Sequence, residues 1–182
     1  IREVGIELYQ QMLEEAVAEA RGLDGGPGVD EEWSPQIGIG MAVLIPERYI
    51  ADLNVRMELY RRLSGLKNAA EIEAFAAELI DRFGSLPVEV ENLLEIVAVK
   101  QLSRAAGVGK VDAGPKGAVI SFHKDDFANP AGLVQFITAQ TGTAKLRPDH
   151  KLVFMRGWDD PAARLAGVRH LLKELAAVAA AS

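Results

Sequence analysis

The sequence predicts an α+β fold in which helices pack on a small, mostly antiparallel sheet, in the order α-linker-β-α-α-α-β-β-α-β-β-α. Three observations predict it. Three consecutive segments between residues 52 and 107 carry apolar residues at helical spacing. Beyond residue 107 the period falls to that of strands, in short β-prone runs. Those runs come as two hairpins with a helix between them, and not in the strict strand-helix alternation of a parallel-sheet enzyme. At 182 residues the chain is long enough for one compact domain, or one with an appendage.

The chain starts at Ile1 already helical in pattern, with Leu8, Tyr9, Met12, Leu13, Ala16, Val17 and Ala20 in a stripe at i, i+4 spacing. Residues 1–21 therefore read as a helix at the end of something longer. Residues 22–35 hold Gly22, Gly25, Gly26, Gly28, Pro27 and Pro35 among acids, which stops that helix and predicts a flexible linker. The domain proper is expected over 36–182. Ile37, Ile39, Met41 and Val43 alternate with Gln36, Gly38, Gly40 and Ala42, the period of a strand that ends by Pro46. A helix starts between Pro46 and Asp52, with Leu53, Met57, Tyr60 and Leu63 inward and Arg56, Arg61 and Arg62 elsewhere, and Gly65 ends it. Asn68 caps the next, whose Ile72, Phe75, Ala76, Leu79 and Phe83 face the core before Gly84. Pro87 fits the first turn of a third, in which Val90, Leu93, Leu94, Val97 and Leu102 run to Gly107.

In the back half, residues 108–111 and 118–122 form a hairpin around 112–117. Asn129-Pro130 opens a helix with Leu133, Val134 and Ile137 inward, closed by Gly142. A second hairpin pairs 144–147 with 152–155 across Pro148-Asp149. Asp159 or Asp160 caps a terminal helix that begins at Pro161, with Leu165, Val168, Leu172 and Leu175 on its apolar side.

Composition narrows the function. No Cys is present, so disulfides, thiolate metal sites and thiol catalysis are excluded, which fits a reducing, cytoplasmic setting. No apolar run approaches the roughly 20 residues that cross a bilayer, which argues against a membrane role. The net charge of −6 is uneven: −6 over residues 1–66, −5 over 67–95 and +5 over 96–182. That split argues against nucleic-acid binding over the whole surface and offers the acidic block either to a basic protein partner or simply to solvent.

Motifs for chemistry are sparse. His123, His150 and His170 lie far apart with no ligand-spaced neighbour, so surface positions are expected for them. The stretch Gly107-Val108-Gly109-Lys110-Val111 fails as a phosphate loop, because Arg104 stands five residues before Gly109 and Val111 follows the lysine. No Ser lies in a Gly-x-Ser-x-Gly elbow. On the second of the three helices, Glu71, Glu78, Asp81 and Arg82 project away from the apolar stripe. Glu78 and Asp81 form an i, i+3 acidic pair that repels itself slightly unless a cation meets it. Arg82 at i+4 from Glu78 is one such cation, and a partner's basic surface is another.

Val4-Gly5-Ile6-Glu7-Leu8-Tyr9, the stretch Tyr49-Ile50-Ala51-Asp52 with Arg56 and Tyr60-Arg61-Arg62, and Glu78-Leu79-Ile80-Asp81-Arg82-Phe83-Gly84-Ser85-Leu86-Pro87 occur together in this order. In these motifs the chain resembles the carboxy-terminal region of the bacterial transcription-repair coupling factors. The resemblance covers nearly the whole sequence, more loosely after residue 108, and makes 1–21 similar to the tail of that family's translocase module.

The resemblance implies a piece of an ATP-driven DNA translocase that displaces stalled RNA polymerase and recruits the excision-repair protein UvrA. It implies a regulatory, noncatalytic role for this piece, which would dock on the UvrB-like module of the same polypeptide and keep the resting protein inactive. Glu78 and Asp81, extended by Glu71, are then the expected latch to basic side chains of that module. No cofactor is expected in this piece, while ATP and magnesium belong to the parent. A stand-alone domain that binds another protein, or DNA through the basic back half, is the alternative.

Overall fold

The computed structural model describes residues 33–41 and 43–181, so the expected helix over 1–21 and most of the expected linker lie outside the described residues. These residues form two compact units, 43–98 in one and 33–41 with 99–181 in the other.

The first unit is built from α1 (Leu53–Ser64), α2 (Ala69–Phe83) and the first part of α3 (Val88–Ala106). Asp52 caps α1, its carboxylate accepting from the Asn54 and Val55 N–H groups at 2.8 and 3.3 Å. The inward face of α1 differs from the one its sequence suggests. Leu63 is buried as expected, but Leu53 is 53% exposed while Arg56 and Leu59 are buried. The reason is the turn before the helix. Arg56 bends back and donates to the carbonyls of Ile50 and Ala51 at 2.7 and 2.9 Å, with Glu47 3.6 Å away. An Arg stem packs as a hydrophobe while its fork satisfies backbone acceptors, so it serves where a Leu was expected. Tyr60 accepts from the Ile45 N–H at 2.7 Å, and burial pushes its phenol pKa up. The Tyr49 hydroxyl lies 2.8 Å from the Gly84 carbonyl and 3.1 Å from that of Leu79, tying the turn to the end of α2. There Gly84 takes φ +93°, a conformation open to glycine and strained for other residues. Arg48 grips both oxygens of Glu89 at 2.5 and 2.7 Å, and these bonds lower the Glu89 pKa.

The second unit contains a five-stranded sheet of order β1-β2-β3-β5-β4: β1 (Gln36–Gly38), β2 (Val108–Gly114), β3 (Gly117–Phe122), β4 (Ala144–Leu146) and β5 (Lys151–Met155). β1 runs parallel to β2 and every other pairing is antiparallel. β1 is shorter than its alternating pattern suggests. Gly40, at φ +72°, turns the chain out of the ladder two residues after Gly38, although Ile39 stays buried. The first hairpin is tighter than expected, with only Pro115-Lys116 between its strands. α4 (Pro130–Ala139) is capped by Asn129. Leu133 is buried there, but Val134 is 60% exposed and not inward as its spacing suggested. α5 (Pro161–Ala180) starts at the Asp160 cap and buries Leu165, Val168, Leu172 and Leu175.

Gly167 sits inside α5 because the Trp158 indole occupies the space a side chain would take: an ideal Cβ there falls 2.4 Å from a ring carbon. Alanine would gain about 1 kcal/mol of helix propensity. Overpacking against a buried indole costs about 1 to 3 kcal/mol, so the clash wins. Gly167→Ala is expected to lower the melting temperature by a few degrees, and a thermal melt checks this.

A candidate docking face on the second helix

α2 begins with Asn68, whose side chain accepts from the Glu71 N–H at 2.9 Å. Glu71 answers by accepting from the Lys67 N–H at 2.5 Å. Asn68 thereby serves one of the N–H groups that the helix leaves without an intrahelical partner, and Glu71 ties the helix start back to the residue before the cap. The Glu71 carboxylate is therefore engaged in holding the helix start.

Phe75 and Leu79 are buried one and two turns further on, with Ile72, Ala76 and Phe83 half-buried beside them. Glu78 and Asp81 stand off this stripe, as the 100° step per residue requires. Their surroundings are very different. Glu78 accepts from Arg62 of α1 with both oxygens, Nη1 to Oε2 at 2.5 Å and Nη2 to Oε1 at 2.8 Å. Arg82 adds a third bond to Oε2 at 3.2 Å. Each arginine also lies over a ring, Arg62 over Phe75 at 5.0 Å and Arg82 over Phe83 at 4.8 Å, so the two guanidinium groups rest on aromatic faces. Asp81 is exposed and has no hydrogen bond or ion pair among the described residues. Ile80 beside it is 50% exposed.

The bonds from Arg62, aided by the weaker one from Arg82, pull the Glu78 pKa down to about 2. A carboxyl whose folded pKa is depressed contributes stability above its unfolded pKa and loses it as pH falls through the folded one. The Arg62–Glu78 contact is accordingly expected to persist through pH 4 and to fail near pH 2. Carbon-detected NMR titration of the Glu78 carboxyl checks this, and Arg62→Gln should move its midpoint back toward the ordinary carboxylate range.

The sequence anticipated the Glu78–Arg82 pair and the outward placement of Asp81. Arg62 was missed, because nothing in the spacing of one helix says which residue of its neighbour lies alongside. Elsewhere, His123 stacks on Trp33 with ring centroids 4.2 Å apart, His170 lies 3.2 Å from Glu174, and His150 is exposed. Among the described residues no group of three or more His, Asp or Glu is placed to hold a metal ion, and no helix is long and apolar enough to cross a membrane.

The TRCF domain family matches residues 39–133, a span that contains α1, α2 and α3. The transcription-repair-coupling factor of Rickettsia bellii strain RML369-C is 43% identical over 157 residues, which cover 86% of this chain and 14% of that protein. That of Escherichia coli K12 is 32% identical over 174 residues, covering 94% of this chain and 15% of that one. The chain thus spans about one seventh of the length of these relatives. Its fold is similar to the crystal structure of the C-terminal domain of transcription-repair coupling factor, with a TM-score of 0.68 at 23% identity, over 82% of this chain and 96% of that one.

Proposed function

The chain belongs to the TRCF domain family, and from that premise we propose that it is a noncatalytic regulatory domain which docks through the outward face of α2 on a basic surface of its own longer polypeptide. That surface is on the UvrB-like module, and docking keeps the resting protein from UvrA. The parent is an ATP- and magnesium-dependent DNA translocase of the cytoplasm that displaces stalled RNA polymerase. DNA is met by its translocase module.

The observation that carries the reading is Asp81, an exposed carboxylate with no ion-pair partner among the described residues, set beside Glu78 and the exposed Ile80. A free acid next to an exposed apolar side chain is what a basic surface with an apolar centre would engage. UvrA binding by the full-length protein, compared with a form that ends before residue 36, tests the role. The shortened form should bind UvrA more tightly. Equal or weaker binding would remove the regulatory role from this domain.

A further inference from the structure

We propose that Arg62 is an internal competitor that limits how tightly the α2 face docks, an inference that rests on the docking reading above. A carboxylate offers about four acceptor positions on two oxygens. On Glu78, Arg62 takes one on each oxygen and Arg82 a second on Oε2, leaving a single direction at Oε1. An incoming guanidinium can therefore make at most one bond to Glu78 while Arg62 stays in place, whereas strong recognition of a carboxylate by Arg uses both oxygens.

Charge points the same way. Arg62 and Arg82 neutralise Glu78, with Glu58 also acting on Arg62, so Asp81 is the acid left free to attract a basic partner. Arg62 can also leave without breaking the fold. Its side chain is 42% exposed and that of Glu78 is 36% exposed, so both groups can be solvated when they separate. Arg62 reaches Glu78 from α1, so docking would exchange a contact between two helices of this unit for one across the interface.

The alternative is that Arg62 orients Glu78 for its partner, and the two roles predict opposite signs. The test measures UvrA binding by the full-length protein in an Asp81→Ala background, where the closed and open forms are both populated and a shift in either direction can be read. Adding Arg62→Gln should weaken UvrA binding by about 2- to 5-fold, the range that an exposed ion pair commands. Arg62→Lys, which keeps the charge but contacts one oxygen at a time, should fall between. Tighter or unchanged UvrA binding with Arg62→Gln overturns the competitor role, provided Asp81→Ala alone had strengthened binding. If Asp81→Ala and Glu78→Ala, Asp81→Ala both leave UvrA binding as in wild type, the docking reading itself fails and takes this inference with it.

Discussion

A full-length protein carrying Glu78→Ala and Asp81→Ala is expected to bind UvrA far more tightly than wild type. If the resting form is closed about 99:1, its apparent UvrA affinity is reduced about 100-fold by the scarcity of the open form. Opening it to half recovers roughly 50-fold of that. Truncating one partner of a desolvated charged contact is large enough to produce such a shift, because the partner's charge is left buried and unpaired. The structure divides the effect unequally. Glu78 is already held by Arg62 and Arg82, whereas Asp81 is free, so Asp81→Ala alone should give the greater part and Glu78→Ala the lesser. The fold should tolerate both changes, since Phe75 and Leu79 carry the burial of α2 and neither acid contributes to it. A melt of each variant beside the UvrA titration separates loss of docking from loss of folding.

The second large effect is expected at Arg164, which is 6% exposed in α5. Its Nη1 donates to the Ile39 carbonyl at 2.7 Å, and its Nε and Nη2 donate to the Trp158 carbonyl at 3.2 and 3.0 Å. No carboxylate lies within ion-pair distance among the described residues. The guanidinium therefore joins three parts of the second unit through carbonyls alone: the residue after β1, the strand-helix connection at Trp158 and α5. Arg164→Met keeps the length of the stem and removes the fork. Relief from burying an unpaired charge favours the variant. Against that, bonds from a charged donor are worth about 1.5 to 3 kcal/mol each, and two buried carbonyls lose their partner at about 1 to 3 kcal/mol each. The losses outweigh the relief, so a net destabilisation of about 2 to 4 kcal/mol is expected. Urea or thermal unfolding of Arg164→Met reads it. Arg164→Lys should recover only part, because an ammonium cannot span both acceptors in the same fixed geometry. A methionine variant as stable as wild type would mean that desolvating the guanidinium costs as much as its bonds return.

What could be read in advance follows from how far each signal reaches along the chain. The caps at Asn68, Asn129 and Asp160 act within three residues, and the α5 stripe of Leu165, Val168, Leu172 and Leu175 repeats over three turns; the positions of those helices therefore followed from the sequence. The faces of the shorter helices did not. Leu53 and Val134 fit an apolar stripe and yet are exposed, while Arg56 is buried because it folds back on carbonyls of the preceding turn and Arg164 because it reaches the distant Ile39 carbonyl. β1 stops early because Gly40 takes a left-handed conformation that an alternating pattern does not encode.

The candidate site divides along the same line. Glu78–Arg82 is an i, i+4 pair and was legible. Arg62–Glu78 joins two helices, and only their packing reveals it. Glu71, grouped with the latch on the basis of its azimuth, also stands three residues after Asn68. That spacing is itself a signature of reciprocal capping, and in the structure the Glu71 carboxylate reaches one residue further back, to the Lys67 N–H.

The central claim is that the outward face of α2 is covered in the resting full-length protein, and carboxyl footprinting of Asp81 measures this most directly. A carbodiimide-coupled amine should label Asp81 quickly in the chain alone and at least several-fold more slowly in the full-length protein. Asp149, an exposed acid of the second unit, serves as the reference in both. Equal labelling of Asp81 in the two, relative to Asp149, would contradict the claim and leave the acidic face of α2 in contact with solvent alone.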